Sequence, residues 1–491
     1  MSKEYSNHFV KFLNNSPTQY HVVRELKAML LDSGFIELKE KEMWSDKLEK
    51  GKSYFLTRGD ASIVAFSVGG EFDPKNGFSI VCAHTDSPGL RIKPVSKKES
   101  QGSVQIAVST YGGGMWFTWF DRDLTLAGKV LVRKDSKVTQ HLIHIKKPLL
   151  NIPNLAVHLH HSVNRRGFKP NFETNFVPVL ATEISTALLD LPKNENNEKE
   201  KQKEQEIELE KEKEKEKEKE KEKIKHHPLL LKIISEELSI EPEQIIDFDI
   251  SVVPSQSAQI GGYFSEFLYS DRLDNLVSTY TSITSLIDSN DKSLATEKTV
   301  RVAVCFDNEE IGSNTLRGAS STLLRSILKN ITYQFVKKEQ KKIRSEIFGI
   351  SLRNSYLLSA DSCHAVHPNY TSYHEKRHVC KINEGIIIET NYEGDTTTEL
   401  ISRYILKSIA KNNQISIQDA IIINETGGGS TLGPMLSTQL GITSSDIGIP
   451  SWGMHSVRET AGTTDIFNLK KLFIGFFKNY YDIFQTIQDI D

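Results

Sequence analysis

Cysteine, long apolar runs and an excess of charge of either sign are all scarce in this chain of 491 residues, and each scarcity excludes a class of protein. The four cysteines, Cys82, Cys305, Cys363 and Cys380, are widely separated and form no CxxC pair. That spacing argues against a disulfide framework and against a thiolate zinc site, and it suits a reducing compartment. No apolar run approaches the ~20 residues that a membrane span requires, and the opening MSKEYSNHFVKFLNNSPTQYH lacks the unbroken apolar stretch of a signal peptide. A cytoplasmic protein without membrane contact is expected. Lys and Arg number 61 against 64 Asp and Glu, for a net charge of -3. A nucleic-acid partner is not expected, because the one dense run of lysines is matched almost one for one by glutamates and cannot form a basic patch.

What is present is the composition of a globular protein, 38% hydrophobic, in a chain long enough for two domains. Ser16-Pro17 reads as a helix start, followed by apolar positions Val22, Val23, Leu26, Met29 and Leu30 at helical spacing up to about Ser33-Gly34. Short apolar runs at Phe78–Ala83, Val300–Phe306, Ser355–Ser359 and Ala420–Ile423 read as buried strands with helices between them. The expected fold is α/β, a mixed central sheet covered by helices. Between Thr110 and Lys134 glycines, aromatics and β-branched residues indicate antiparallel strands, hence a smaller β-rich domain inserted into the first. The expected bounds are 1–95 with 254–491 for the discontinuous domain and 96–253 for the insert. Residues 193–225 are low-complexity and end in strict Lys-Glu alternation, which places like charges at i and i+4; a solvated loop is expected there.

Three of the apolar runs lead directly into clusters of acids or histidines, and open α/β sheets bind ligands just beyond the carboxyl ends of their strands. The first run ends in Ala83-His84-Thr85-Asp86, where His84 can reach a metal and Asp86 can hold the other ring nitrogen. The second ends in Asp307-Asn308-Glu309-Glu310. Adjacent glutamates repel each other unless a cation or proton offsets one of them, and one can ligate while the other serves as a base. The third precedes Asp361-Ser362-Cys363-His364. Two further clusters are Ser270-Asp271-Arg272-Leu273-Asp274, at a helix start, and Met454-His455-Ser456-Val457-Arg458-Glu459. Each alone reads equally well as a capping group, an exposed acidic turn or a satisfied histidine. Together they supply two histidines and three carboxylates with a spare glutamate, an N/O donor set for zinc, cobalt or manganese that serves two ions if one carboxylate bridges.

At this point HTDSPGLRIKP, YGGGMWFTWFDRDLTLAGKV, SDRLDN, DNEEIGS, SADSCHAVHPNY and MHSVRE resemble, in order and approximate spacing, the motifs of the aspartyl aminopeptidases, over nearly the whole chain outside the Lys/Glu insert. The resemblance implies two divalent ions, most simply zinc. His84, Asp361 and one oxygen of Asp274 would hold one, and Glu310, His455 and the other oxygen of Asp274 the second. Glu309 falls on the general base. His364 falls on a substrate-contacting histidine, and His158 on one contributed to a neighbouring subunit's pocket. The resemblance also implies a dimerisation domain, a homododecamer and substrates that are peptides with a free N-terminus, headed by Asp or Glu. In one segment the chain departs from the family: where acid-preferring members carry a lysine, an arginine and a tyrosine, this sequence has Glu389, Asp395 and Thr396. A glutamate at the lysine position would repel an acidic side chain, so a neutral or basic preference is the alternative. Other two-metal chemistry on the same donors, as a deacylase or carboxypeptidase, and an inactive scaffold are the competing readings.

Overall fold

The computed structural model describes residues 2–161, 163–187, 225–424 and 429–487. Most of the Lys/Glu stretch expected at 193–225 therefore lies outside the described residues. The chain forms two compact units, one of Met1–Pro88, Gly112–Gly114 and Ser257–Asp491, the other of Gly89–Tyr111 and Met115–Gln256. The chain enters the second unit at Gly89 and leaves it before Ser257, where the sequence suggested junctions after 95 and after 253.

The first unit is built on a nine-stranded mixed sheet. Its strands in chain order are β1 (Ile36–Glu37), β2 (Ser53–Arg58), β3 (Ser62–Val68), β4 (Phe78–His84), β5 (Val300–Phe306), β6 (Tyr356–Ala360), β7 (Ile386–Glu389), β8 (Ile417–Ala420) and β9 (Thr443–Gly448), and they lie side by side as β1-β2-β3-β5-β4-β6-β9-β7-β8. The central four, β5, β4, β6 and β9, are mutually parallel, so their carboxyl ends lie at one edge. Every residue of β4, β5 and β6 is buried, which explains why these strands read as largely apolar runs.

Alternation along the strands feeds two cores. Val81, Ala83, Ala303, Cys305, Tyr356 and Leu358 face one side, where helices α1 (Ser2–Asn15), α2 (Gln19–Asp32) and α3 (Leu273–Ser289) pack. Ile80, Cys82, Val302, Val304 and Leu357 face the other, covered by α4 (Leu323–Phe335), α5 (Arg344–Arg353) and, later in the chain, α7 (Leu432–Leu440). On the first side α6 (Leu400–Asn412) and α8 (Thr463–Phe484) complete the layer. This is the expected α/β architecture, and its period of two is the reason helices are needed on both faces.

Two local expectations are corrected, and one helix is added. The helix after Ser16-Pro17 begins at Gln19, with Thr18 at its N-cap; Ser16 is buried and does not cap it. The helix α1 that precedes it had no counterpart in the sequence reading. The strand expected at Ala420–Ile423 is instead Ile417–Ala420, because β8 pairs only with β7 and β7 ends at Glu389, opposite Ala420. Beyond that point Ile421 and Ile422 turn into a cavity wall.

The second unit is a six-stranded, wholly antiparallel sheet. The strands run in the order Lys137–His144, Leu124–Lys134, Ile245–Pro254, Gly89–Ser100, Ser103–Tyr111 and Val179–Thr182. A separate five-stranded sheet of the first unit includes Phe267–Ser270, Pro450–Trp452 and Glu459–Gly462, and it carries the turn that holds His455.

Candidate metal centre

The carboxyl ends of β4, β5 and β6 bring four of the expected residues together. His84 is the last residue of β4, Glu309 and Glu310 follow β5 through a short turn, and Asp361 follows β6 directly. Asp361 continues the sheet pairing, its N–H donating to the Ile447 carbonyl at 2.9 Å. Gly448 makes that approach possible, since a Cβ there would lie 1.6 Å from the Asp361 carbonyl oxygen.

Asp274 arrives from the opposite direction, in the first turn of α3, where backbone angles of φ -77° and ψ 108° depart from helix. A carboxylate is favoured at that end of a helix by the exposed N–H groups and the helix dipole. The turn is tied to the strand ends on both sides: the Asn275 amide donates to the Ala360 carbonyl at 2.7 Å, and the Thr279 hydroxyl to the His84 carbonyl at 2.5 Å. His455 sits on a tight turn with a left-handed backbone, φ 65°. Asn308, just before the two glutamates, is also left-handed at φ 66°. Non-glycine residues in this region carry strain and concentrate at functional sites.

The side chains converge around Asp274. Its Oδ1 lies 3.4 Å from His84 Nε2, and its Oδ2 lies 3.2 Å from His455 Nε2. His84 Nε2 is also 3.6 Å from Asp361 Oδ1 and 3.8 Å from Glu309 Oε2, while His455 Nε2 is 3.4 Å from Glu310 Oε1. Three triads have donor atoms mutually within 4.8 Å: His84, Asp274 and Asp361; Asp274, Glu310 and His455; and His84, Glu309 and Glu310. Separations of this size are long for hydrogen bonds. They approach the edge of a tetrahedron of donors around one ion, roughly 3.3 Å for bonds of about 2.0–2.1 Å. Asp274 Oδ1 and Glu310 Oε1 are buried without a hydrogen-bond partner, the condition a cation would relieve.

Electrostatics agree with that fit. Burial pushes the Asp361 and Glu310 carboxyls well up, and the charge of Asp274 pushes them further. Glu309 is raised mainly by burial, against the pull of His84. Burial disfavours the charged imidazole of His84, yet Asp361 and Asp274 raise its pKa well above the ordinary value. His455 is carried to about 10, against burial, chiefly by Asp274 and Glu310. The carboxylates thus demand positive charge from the two imidazoles, and a divalent cation is a stronger source of it.

His84, Asp274, Glu309, Glu310, Asp361, His364, Glu389, Thr396 and His455 all line one cavity of about 350 Å³. His158 is exposed, in the second unit, and is not part of that lining. Asp86 is buried behind the site, and its backbone carbonyl lies nearer His84 than the carboxylate expected to support it. His84 Nδ1 lies 3.0 Å from the Asp86 backbone carbonyl, while the Asp86 carboxylate is 3.6 Å from that nitrogen and accepts the backbone N–H groups of Glu309 at 3.1 Å and Glu310 at 3.2 Å. The carbonyl therefore holds the imidazole, and the carboxylate fixes the turn that presents the two glutamates.

Residues 12–477 match the family of aminopeptidase I zinc metalloproteases, M18. The chain belongs to the M18 family. It is accordingly a metallo-aminopeptidase, with zinc as the family's metal. This M18 chain is 40% identical to the aspartyl aminopeptidase of Dictyostelium discoideum, over 96% of each chain. It is also 40% identical to aspartyl aminopeptidase 1 of Schizosaccharomyces pombe, over 98% of this chain and 96% of the relative. Among solved structures, that of an Ape4 and Nbr1 complex aligns with a TM-score of 0.90 at 39% identity, covering 100% of this chain and 88% of the other. The mApe1 dodecamer of S. cerevisiae aligns with a TM-score of 0.82 at 26% identity, covering 99% of each.

Sequence reasoning included Asn275 and Glu459 in its motifs, SDRLDN and MHSVRE, but gave neither of them a role in this M18 site. Asn275 acts through its amide on a strand end remote in sequence, and Glu459 resembles any glutamate that follows an arginine.

Proposed function

We propose that the chain releases the N-terminal residue of peptides with two divalent ions, and that Glu309 is the general base. The observation that carries this reading is the placement of Asp274, whose two oxygens face two different histidines, with Glu309 beside one of them in the same cavity. His84, Asp361 and Asp274 would hold one ion; Asp274, Glu310 and His455 the other. When bound, such a pair supplies Lewis acidity toward water and the scissile carbonyl.

The remaining work belongs to the protein. Glu309 faces the cavity while its backbone N–H is held by Asp86, so its carboxylate is presented in a fixed direction. A carboxylate at that place, in none of the ligand roles assigned to the other acids, can take a proton from the attacking water and deliver it to the leaving amide nitrogen. The hydroxide left behind adds to the first carbonyl carbon, the C–N bond breaks, and the new amine leaves with the proton that Glu309 carried. The Glu309→Gln variant should keep its zinc content and assembly state and lose turnover by roughly 10²–10⁴-fold. Near-normal turnover would remove Glu309 from the base role.

The names of the relatives bring with them release of Asp or Glu. A feature of this cavity favours a second reading, release of a neutral or basic residue. Among the described residues no lysine or arginine lines it, and Glu389 stands in its wall. Arg403 reaches the Thr390 hydroxyl at 3.4 Å but is not in the lining. Glu389 pairs across the sheet with Asp446, and burial followed by that neighbouring charge lifts its carboxyl to about 7. An acidic side chain entering here would meet further carboxyl groups with only histidines to offset them. Initial rates on peptides headed by Asp, Glu, Leu and Lys decide between the two: a preference for Asp and Glu upholds the relatives' specificity, and a preference for Leu or Lys upholds the reading from the wall.

We also read the chain as a subunit of a homododecamer, on the precedent of the S. cerevisiae assembly, and His158 as contributed to a neighbour's cavity, as the family resemblance implies. The four unpaired cysteines support a cytoplasmic setting. Among the described residues no helix is long and apolar enough to cross a membrane.

A further inference from the structure

Two buried carboxylates border the donor cluster without belonging to any of its triads. Asp86 holds the turn of the two glutamates. Glu459, in the strand Glu459–Gly462 of the small sheet, makes a similar pair of bonds, but to two residues that lie far apart in the chain. Its Oε2 accepts the backbone N–H of Asp274 at 3.0 Å, and its Oε1 accepts the backbone N–H of His455 at 2.7 Å.

Both N–H groups need such an acceptor. That of Asp274 belongs to the first turn of a helix, where no preceding carbonyl of the helix is available. That of His455 sits in the left-handed turn already described. Glu459 is 2% exposed. Leaving a carboxylate in such a place is costly unless its oxygens are engaged, and here each is engaged by the backbone of a different proposed ligand. With both oxygens so committed, Glu459 is poorly placed to ligate an ion itself.

We infer that Glu459 is a positioning residue for one half of the metal centre: it clamps the backbones of Asp274 and His455 so that Oδ2 and Nε2 meet at a single point. The 3.2 Å between those two atoms is the product of the clamp. Asp274 serves both ions but His455 only one, and Glu459 holds both of these backbones, so its influence falls chiefly on the ion held by Asp274, Glu310 and His455 and less on the one that shares only Asp274 with it. The inference rests on the two-ion reading proposed above.

The experiment is a zinc titration of the metal-stripped full-length protein, with oligomeric state and melting followed in parallel, for the natural chain, Glu459→Gln and Glu459→Asp. Glutamine keeps the length but turns a donor toward one of the two N–H groups. Aspartate keeps both oxygens but falls short by one methylene. Both variants are expected to assemble normally, to bind one zinc as the natural chain does, and to bind the second roughly 10–100-fold more weakly. At saturating zinc, kcat should recover while KM is unchanged. Two zinc ions bound as tightly as in the natural chain, equal weakening of both, or failure of both variants to fold would each overturn the assignment, the last two by making Glu459 a residue of the fold. If the natural chain itself does not bind two zinc ions, the failure is that of the two-ion reading, and it appears before any substitution is made.

Discussion

The two halves of the donor cluster are supported by different kinds of backbone. His84 and Asp361 lie at the ends of adjacent, fully buried parallel strands, and the His84 side chain is 1% exposed. Glu310 and His455 stand on turns, and the His455 side chain is 27% exposed. The first half inherits its geometry from sheet pairing, which many residues enforce at once. The second depends on a few side-chain clamps, Asp86 on the glutamate turn and Glu459 on the histidine turn. Asp274 belongs to both halves.

The largest expected effect removes that shared member. Asp274→Ala should lose both ions and reduce turnover to background, measured by metal content and peptide hydrolysis; retention of one ion at full affinity would mean that the carboxylate is not shared. Next come the single histidines. His84→Ala and His455→Ala should each weaken one ion, and only His84→Ala should also lower the melting temperature markedly, because it opens a space among buried carboxylates. Equal melting temperatures for the two variants would erase the contrast between the halves. Gly448→Ala is a milder test of the strand-end half. The added methyl group must displace the Asp361 backbone, costing roughly 1–3 kcal/mol and weakening the ion on that side while sparing the other.

The smallest effect lies away from both halves and serves as a control. Asp291 caps the 3-10 turn Lys292–Thr296, and its carboxylate, 2.6 Å from Lys478 Nζ, is held below the ordinary range by hydrogen bonds from Lys478 and Ser293. Its folded pKa is lowered, so its contribution is present above the unfolded carboxylate value near pH 4 and is lost as pH falls through the lower folded one. The pair is exposed, and Asp291→Ala should cost no more than about 1 kcal/mol near neutral pH, a difference that narrows in acid, with zinc binding unchanged. A change in zinc affinity would show that the two halves are not as local as their contacts indicate.

Much of the site was legible because strand ends are legible. The runs before His84, Asp307 and Asp361 are mostly apolar, interrupted only by Ser79, Arg301 and Ser359, since those strands are buried on both faces, and the polar clusters that follow mark where the chain leaves the sheet. The edge strand β8 was misplaced because an edge takes its limits from its one neighbour, which local composition does not record. Asp86 was assigned to the right histidine, but its backbone carbonyl, nearer the ring nitrogen than its carboxylate, was not foreseen, because a carbonyl two residues away leaves no mark in side-chain composition.

The sequence by itself determined the kinds of donor, their order along the chain and the periodicity that buries β4, β5 and β6, because these depend on side-chain chemistry and short-range spacing. Only the tertiary structure decided that β5 lies beside β4 and β4 beside β6, so that clusters far apart in the chain share one edge. It also decided that the two oxygens of Asp274 face different histidines, and that Glu459 ties the Asp274 backbone to the His455 turn. Those are relations between backbones that meet only when the sheets and helices have packed, and no local pattern encodes the direction in which a carboxylate will then point.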